Sequence, residues 1–160
     1  MKIGFTIRQA AAKDAHKICE LLYAIADVHA KLRPDLFKPS ASKYSIEELR
    51  EKFLREDERV FVCVDPNDEV VGYVFCAVIE KEENNVRTKI KTLYVDDLCV
   101  DENYRGQGIA TELMNKALFF AKEIGCYNFT LNVWAGNTAA ERFYEKFGLR
   151  AQCTHLEMIL

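Results

Sequence analysis

Asn103-Tyr104-Arg105-Gly106-Gln107-Gly108-Ile109-Ala110, NYRGQGIA, follows the strand-like stretch Asp96-Asp97-Leu98-Cys99-Val100 and opens an amphipathic run. The chain has seven glycines, and two of them stand here one residue apart. Glycine permits backbone conformations and close approaches that a β-carbon obstructs. Beyond them, Ile109, Leu113, Ala117, Ala121 and Ile124 mark one face of a helix that stops at Gly125. The glycines therefore sit immediately before a helix N-terminus, whose unsatisfied N–H groups and half-unit of positive charge can receive a phosphate or pyrophosphate. Arg105 adds a planar, charged donor fork. A tight strand-to-helix turn is the competing reading, and the glycines alone leave the two balanced. Two familiar phosphate loops are excluded by spacing. A Walker loop needs a lysine after the second glycine, and none follows Gly108. The dinucleotide fingerprint needs glycine or alanine where Thr111 stands, and it normally follows the first strand of a βαβ unit.

Working outward, Ile3 to Arg8 alternates as a strand, and Ile18, Leu21, Leu22, Ile25, Val28 and Leu32 recur at helical spacing from Asp14 to Leu32, before Pro34. Ser45-Ile46-Glu47-Glu48 is a capping box that opens a second helix through about Arg55. Val60–Val64, Val70–Glu80 and Arg87–Val100 then read as an antiparallel meander turning at Asp65-Pro66-Asn67-Asp68 and Glu82-Glu83-Asn84-Asn85. After the glycine loop and its helix come a strand at Tyr127–Trp134, a helix at Asn137–Phe147 closed by Gly148, and a last strand at Ala151–Leu160. The order β-α-α-β-β-β-α-β-α-β predicts an α/β (α+β) fold with a mixed, mostly antiparallel central sheet and helices on both faces. Its one parallel crossover runs from Thr92 to Trp134. No repeat or linker divides residues 1–160, so a single domain is expected.

Composition narrows the function. With 22 basic against 25 acidic residues the net charge is −3, which gives no basic face for nucleic acid. The six cysteines lie at least thirteen residues apart, so no C-x-x-C pair marks a zinc or redox site. Buried thiols in a reducing cytoplasm are the expectation. The N-terminus lacks an apolar h-region, and the longest apolar stretch, Val70–Ile79, is about half a membrane span, so no membrane partner is expected.

Arg105, Gly108 and Ala110 spell R-x-x-G-x-A between the strand DDLCV and an amphipathic helix. Here the chain resembles the GCN5-related N-acetyltransferase (GNAT) family, whose acetyl-coenzyme A pyrophosphate loop reads [RQ]-x-x-G-x-[GA]. The segment LNVWAGNTAAERFYEKFGL is similar to that family's closing region, with Asn137 seven residues before Tyr144 and a glycine after the helix. The likeness is motif-specific from about Leu93 to Leu149; in element order it covers nearly the whole chain.

The resemblance implies an N-acetyltransferase that moves an acetyl group from acetyl-CoA directly to a primary amine of a small molecule or peptide, without a metal. A noncatalytic acyl-CoA-binding sensor is the alternative. Main-chain atoms of Leu98, Cys99 and Val100 then pair with the pantetheine arm, and the loop Arg105, Gly106, Gln107, Gly108, Ile109, Ala110 and Thr111 holds the pyrophosphate. Asn137 reaches pantetheine, or caps its helix, or does both. Tyr144 lies near the thioester sulfur and can protonate the departing thiolate, although a core aromatic is the plainer role. Asp96 and Asp97 stand where some polyamine-acetylating relatives place acidic residues. In a regular strand they point to opposite faces, with Asp96 the preferred base and an ordinary strand-end aspartate the alternative for each. His29 and Arg33-Pro34-Asp35 lie where relatives shape the acceptor site. Relatives are often homodimers, and the terminal strand offers one means of pairing. A cysteine-dependent transferase ranks last, because no histidine pairs recognisably with a thiol.

Overall fold

The computed structural model describes residues 4–160, so Ile3, expected to open the first strand, lies outside the described residues. Five strands form one sheet in the order β1-β2-β3-β4-β5. The strands β1 (Thr6–Gln9), β2 (Glu58–Val64), β3 (Val70–Lys81) and β4 (Ile90–Val100) pair antiparallel, and β5 (Asn128–Leu131) joins β4 in parallel. The expected crossover is therefore present, with helix α3 (Ile109–Glu123) as its connection. Helices α1 (Ala15–Leu32) and α2 (Ile46–Lys52) precede the meander, and α4 (Thr138–Phe147) follows β5. The α2 capping box forms as its sequence requires: Glu48 N–H donates to Ser45 Oγ at 3.2 Å, and Ser45 N–H donates to the Glu48 carboxylate at 2.7 Å.

Strand alternation sorts the core into two layers. Val60, Val62, Tyr73, Phe75 and Cys99 pack with Ile18, Leu21, Leu22 and Leu49 from α1 and α2. Phe61, Cys63, Val74, Leu93 and Val95 pack with Ile109, Leu113, Met114 and Ala117 of α3 on the other face. This is the period-two signature of a sheet covered on both sides.

Two expected strands differ. β5 is only four residues long, shorter than Tyr127–Trp134, because β4 turns away from it after Val95. Ala151–Leu160 is no strand at all: it is exposed and without regular structure. Its alternation can support a strand, but a strand needs a partner for its backbone groups, and this segment has none among the described residues.

Gly72 fixes how closely β3 and β4 approach beside the future site. A β-carbon there would lie 2.9 Å from the Cys99 carbonyl oxygen and 3.3 Å from Leu113. The backbone oxygen cannot yield as a flexible side chain could. Gly72→Ala is expected to cost roughly 1–3 kcal/mol of stability in urea unfolding, as other overpacked sites do; an unchanged midpoint would show that the strands have slack there.

Candidate active site

The site begins where two parallel strands part. β4 and β5 are paired only from Thr92 with Asn128 to Val95 with Leu131, whereas β4 continues five residues further. Along Asp96–Val100 the side of β4 away from β3 has no strand beside it among the described residues. Its backbone groups can therefore pair with an extended ligand.

A β-bulge lies at the same point. Phe75 is opposite Asp97, but the next residue, Cys76, is opposite Val95, which leaves Asp96 as the extra residue of β4. This corrects the expectation that the two aspartates face opposite ways. The Tyr73 hydroxyl donates to Asp97 Oδ2 at 3.2 Å, while Lys43 Nζ and the Tyr44 hydroxyl donate to Asp96 Oδ2 at 2.6 and 3.3 Å. Both carboxylates thus meet partners from the α1/α2 side. Their environments differ. Burial raises the Asp97 carboxyl to about 6, even though Lys43 and the Tyr73 hydrogen bond pull the other way. Lys43 is itself opposed by burial, but its ion pair with Asp96 outweighs that and holds the ammonium above the ordinary lysine range.

The glycine loop adopts the conformations its sequence demands. Gly106 and Gly108 have φ of 74° and 83°, and Gly108 is the α3 N-cap, with no side chain capping the helix. The first N–H groups of α3 are thus left for an anion. Arg105 Nε donates to the Val100 carbonyl at 3.2 Å, tying the loop to the end of the open strand.

From α4, Asn137 Oδ1 accepts the Ala140 N–H at 3.3 Å, so the N-cap role is present. Tyr144 is partly buried between Phe143 and the β4–β5 layer. Burial, reinforced by the charge of Asp97, pushes its phenol up to about 12. Leu98, Val100 and Tyr144 thus share one apolar cluster, while Asp97 acts on Tyr144 through its charge.

The α1/α2 side supplies a second wall. His29 packs on Phe37, and Phe37 meets Trp134 edge to face at 5.1 Å. Burial, then the nearby Lys43, lowers the His29 pKa. A cavity of about 240 Å³ is lined by Tyr44, Lys52, Glu58, Phe75, Tyr94 and Asp96, with Lys52 paired to Glu58. A larger one, about 460 Å³, lies around Arg59, Glu80 and Phe120, away from the parting strands. Arg33 pairs with Asp35 and with Glu157 of the tail, so Arg33 and Asp35 stabilise the loop after α1.

Sequence reading missed Tyr73, Lys43, Tyr44, Phe37 and Trp134 as site residues. Tyr73 was legible as an inward strand position, but its hydroxyl partner depends on the bulge. Lys43 carries no local signal, since only the fold brings it across 53 residues to Asp96. The three buried thiols are unsuited to covalent catalysis: burial raises Cys63 to about 11 and Cys76 and Cys99 to about 12, the reverse of what a nucleophile needs. No group of His, Cys, Asp or Glu suited to a metal ion occurs among the described residues, and no helix there is long and apolar enough to cross a membrane.

Comparison with known proteins agrees with this fold. Residues 23–149 match the Acetyltransferase (GNAT) family, and the chain belongs to that family. It is 33% identical over 125 residues to N-alpha-acetyltransferase 30 of Schizosaccharomyces pombe, covering 78% of this chain and 76% of that protein. It is 34% identical over 99 residues to an uncharacterized N-acetyltransferase of Methanocaldococcus jannaschii, a match that spans 59% of this chain and only 40% of that protein. Among solved structures, the tetramutant of the BH1408 protein from Bacillus halodurans superposes with a TM-score of 0.92 at 27% identity, covering 97% of this chain and 99% of that one. The family's chemistry is acetyl transfer to amines, with acetyl-CoA as the usual donor.

Carboxyl-carbon NMR is expected to show Asp97 titrating near pH 6. Tyr73→Phe removes a hydrogen bond that stabilises the carboxylate, so the midpoint moves higher. A midpoint unmoved by Tyr73→Phe would remove that hydrogen bond from the account.

Proposed function

We propose that this chain transfers an acetyl group from acetyl-CoA directly to a primary amine of a small molecule or peptide. The observation that carries the reading is the open edge of β4 at Asp96–Val100, with the partly buried Asp97 beside it and the glycine loop at its end. Main-chain groups of Leu98, Cys99 and Val100 pair with the pantetheine arm. N–H groups from Gly106 to Thr111, with the Arg105 guanidinium, hold the pyrophosphate. The Asn137 amide nitrogen remains available to pantetheine while its oxygen caps α4.

Asp97, rather than the sequence-favoured Asp96, serves as the base. Asp96 is held by Lys43, whereas a carboxyl near 6 is ionised at neutral pH yet far more basic than an ordinary aspartate. It takes the proton of the acceptor ammonium, directly or through water. The amine nitrogen then bonds to the thioester carbonyl carbon, the carbon–sulfur bond breaks, and the second nitrogen proton passes to the departing thiolate, directly or through water, leaving the amide and free CoA thiol. Tyr144 donates to the departing sulfur. At about 12 its phenol is roughly three units less acidic than a typical thiol, so complete proton transfer is uphill, and its service is as a hydrogen-bond donor. Alignment of amine and thioester supplies much of the remaining acceleration.

The cavity beside Asp96 receives the acceptor. Its walls are aromatic, while Glu58 and Asp96 are already paired with Lys52 and Lys43, so shape and aromatic surface rather than free charge would select the amine. At pH 7 about one in ten α-amines is neutral, against about one in a few thousand lysine-like amines. The similarity to an N-alpha-acetyltransferase therefore makes peptide N-termini the first acceptors to try. Six free thiols suit work in a reducing cytoplasm.

Acetyl-CoA at one hundred times its Kd is expected to add about 2.7 kcal/mol of apparent stability. CoA release is then measured across N-terminal peptides, polyamines, amino acids and aminoglycosides; binding without turnover on any amine would leave a sensor, and no thermal shift would reject the donor site. Tyr144→Phe should lower kcat about 10- to 100-fold with little change in acetyl-CoA affinity. In the pH profile, kcat/KM rises with pH through about 6 as Asp97 loses its proton. Asp97→Asn should erase that limb and Asp96→Asn should keep it; the opposite pattern reverses the assignment.

A further inference from the structure

The cavity beside Asp96 holds a cation of the chain's own. Lys52 stands in the last turn of α2, and its Nζ lies 4.8 Å from the ring centroid of Tyr44 and 5.8 Å from that of Phe75. The two rings meet edge to face at 5.9 Å, so they form a corner around the ammonium. Glu58, at the start of β2, closes a third side as the ion-pair partner of Lys52. Its Oε2 is buried and makes no hydrogen bond, which leaves the Lys52 charge as the contact that compensates it. The side chains of Lys52 and Glu58 are only 12% and 14% exposed. Two aromatic faces and a carboxylate are the groups that recognise an alkylammonium, and here they surround one that belongs to the protein.

The other carboxylate of the cavity is engaged as well. Lys43 pairs with Asp96 at 2.6 Å, but its side chain is 45% exposed, so this cation stands toward solvent while Lys52 stands inside. Asp97 serves the reacting amine. A second cation on the acceptor would therefore find no free counter-charge in the cavity, and its desolvation would go uncompensated beside two like charges. Displacing Lys52 is no easier, because a tethered ammonium competes at the high effective concentration of an intramolecular group. Distance is not the obstacle. β2 and β4, which carry Glu58 and Asp96, are two strand spacings apart, about 10 Å, a gap that a diamine of moderate length spans.

We infer that Lys52 is a specificity-determining residue: it occupies the ammonium cage of Tyr44, Phe75 and Glu58, and so confines the acceptor site to amines that carry no second cation at that distance. The inference rests on the reading that acceptors enter the cavity beside Asp96. The substrate class that follows is a monoamine with an uncharged group behind it, such as a peptide N-terminus followed by neutral side chains. Polyamines are turned away even though the chain carries a net charge of −3. Lys52 touches no reacting atom; it acts by filling space and cancelling charge, which is specificity by exclusion. Its removal converts the same cavity into a diamine site, because Glu58 is then an unpaired carboxylate behind two aromatic faces.

The test compares α,ω-diamines from diaminobutane to diaminooctane with the n-alkylamines of the same length, by calorimetric binding without acetyl-CoA and by CoA release with it. The intact chain should bind no diamine more tightly than its monoamine. Lys52→Ala should bind at least one diamine about tenfold more tightly than the matching monoamine, and Lys52→Ala/Glu58→Gln should lose that preference. Because Lys52→Ala strands a carboxylate, its thermal midpoint should fall, and should recover more with that diamine than with the monoamine. A Lys52→Ala chain that neither folds nor is rescued by a diamine overturns the inference. So does one that folds without gaining the preference, or an intact chain that already prefers a diamine. Binding decides the role of Lys52, and CoA release decides the acetyl-transfer reading. Turnover with no change of preference overturns the first alone; a diamine preference in Lys52→Ala without turnover on any amine overturns only the second.

Discussion

The loss of pairing between β4 and β5 after Val95 is the constraint on which the site depends. Backbone N–H and C=O groups inside a fold must find partners, and a central strand normally gives both its edges to neighbours. Here β4 runs on to Val100 with one edge vacated, at the same place where the bulge at Asp96 changes its register against β3. The bulge turns both aspartates to the α1/α2 side. The vacated edge supplies hydrogen-bonding groups along a line that ends at the glycine loop and the start of α3. One distortion of one strand thus brings an open backbone edge, the N-terminus of α3 and two carboxylates to one part of the fold.

The carboxylates diverge because each meets a different neighbour. Lys43 pairs directly with Asp96, whereas at Asp97 burial outweighs the more distant Lys43 charge and the Tyr73 hydroxyl. Adjacent residues of the same type are thereby given different proton affinities, the arrangement by which acid–base sites separate their roles. Tyr144 is affected in the same sense: the charge of Asp97 and the apolar layer around it both keep the phenol protonated. The relative placement of α4 therefore matters to the electrostatics as well as to the packing.

Much of this was legible in the sequence because it is local. NYRGQGIA encodes its own backbone geometry, since φ of 74° and 83° suit glycine, and the apolar period after Gly108 fixes α3. The meander, the parallel crossover and the α2 capping box follow from alternation, length and end signals. The bulge was not legible. DDLCV reads as a regular strand, and only the pairing of Phe75 with Asp97 and Cys76 with Val95 exposes the extra residue. Lys43 and Tyr73 escaped for a related reason, because their roles are contacts over 53 and 24 residues of sequence. The last ten residues show the converse case: their alternation is a strand's, but strand formation depends on a partner, and no strand among the described residues pairs with them.

Backbone amide NMR during titration with acetyl-CoA tests the central claim most directly. The account predicts the largest shift changes at the amides of Leu98–Val100 and Gln107–Thr111, the open edge and the start of α3, with little change along β2. Saturable binding that leaves these amides unmoved and perturbs another region would contradict it.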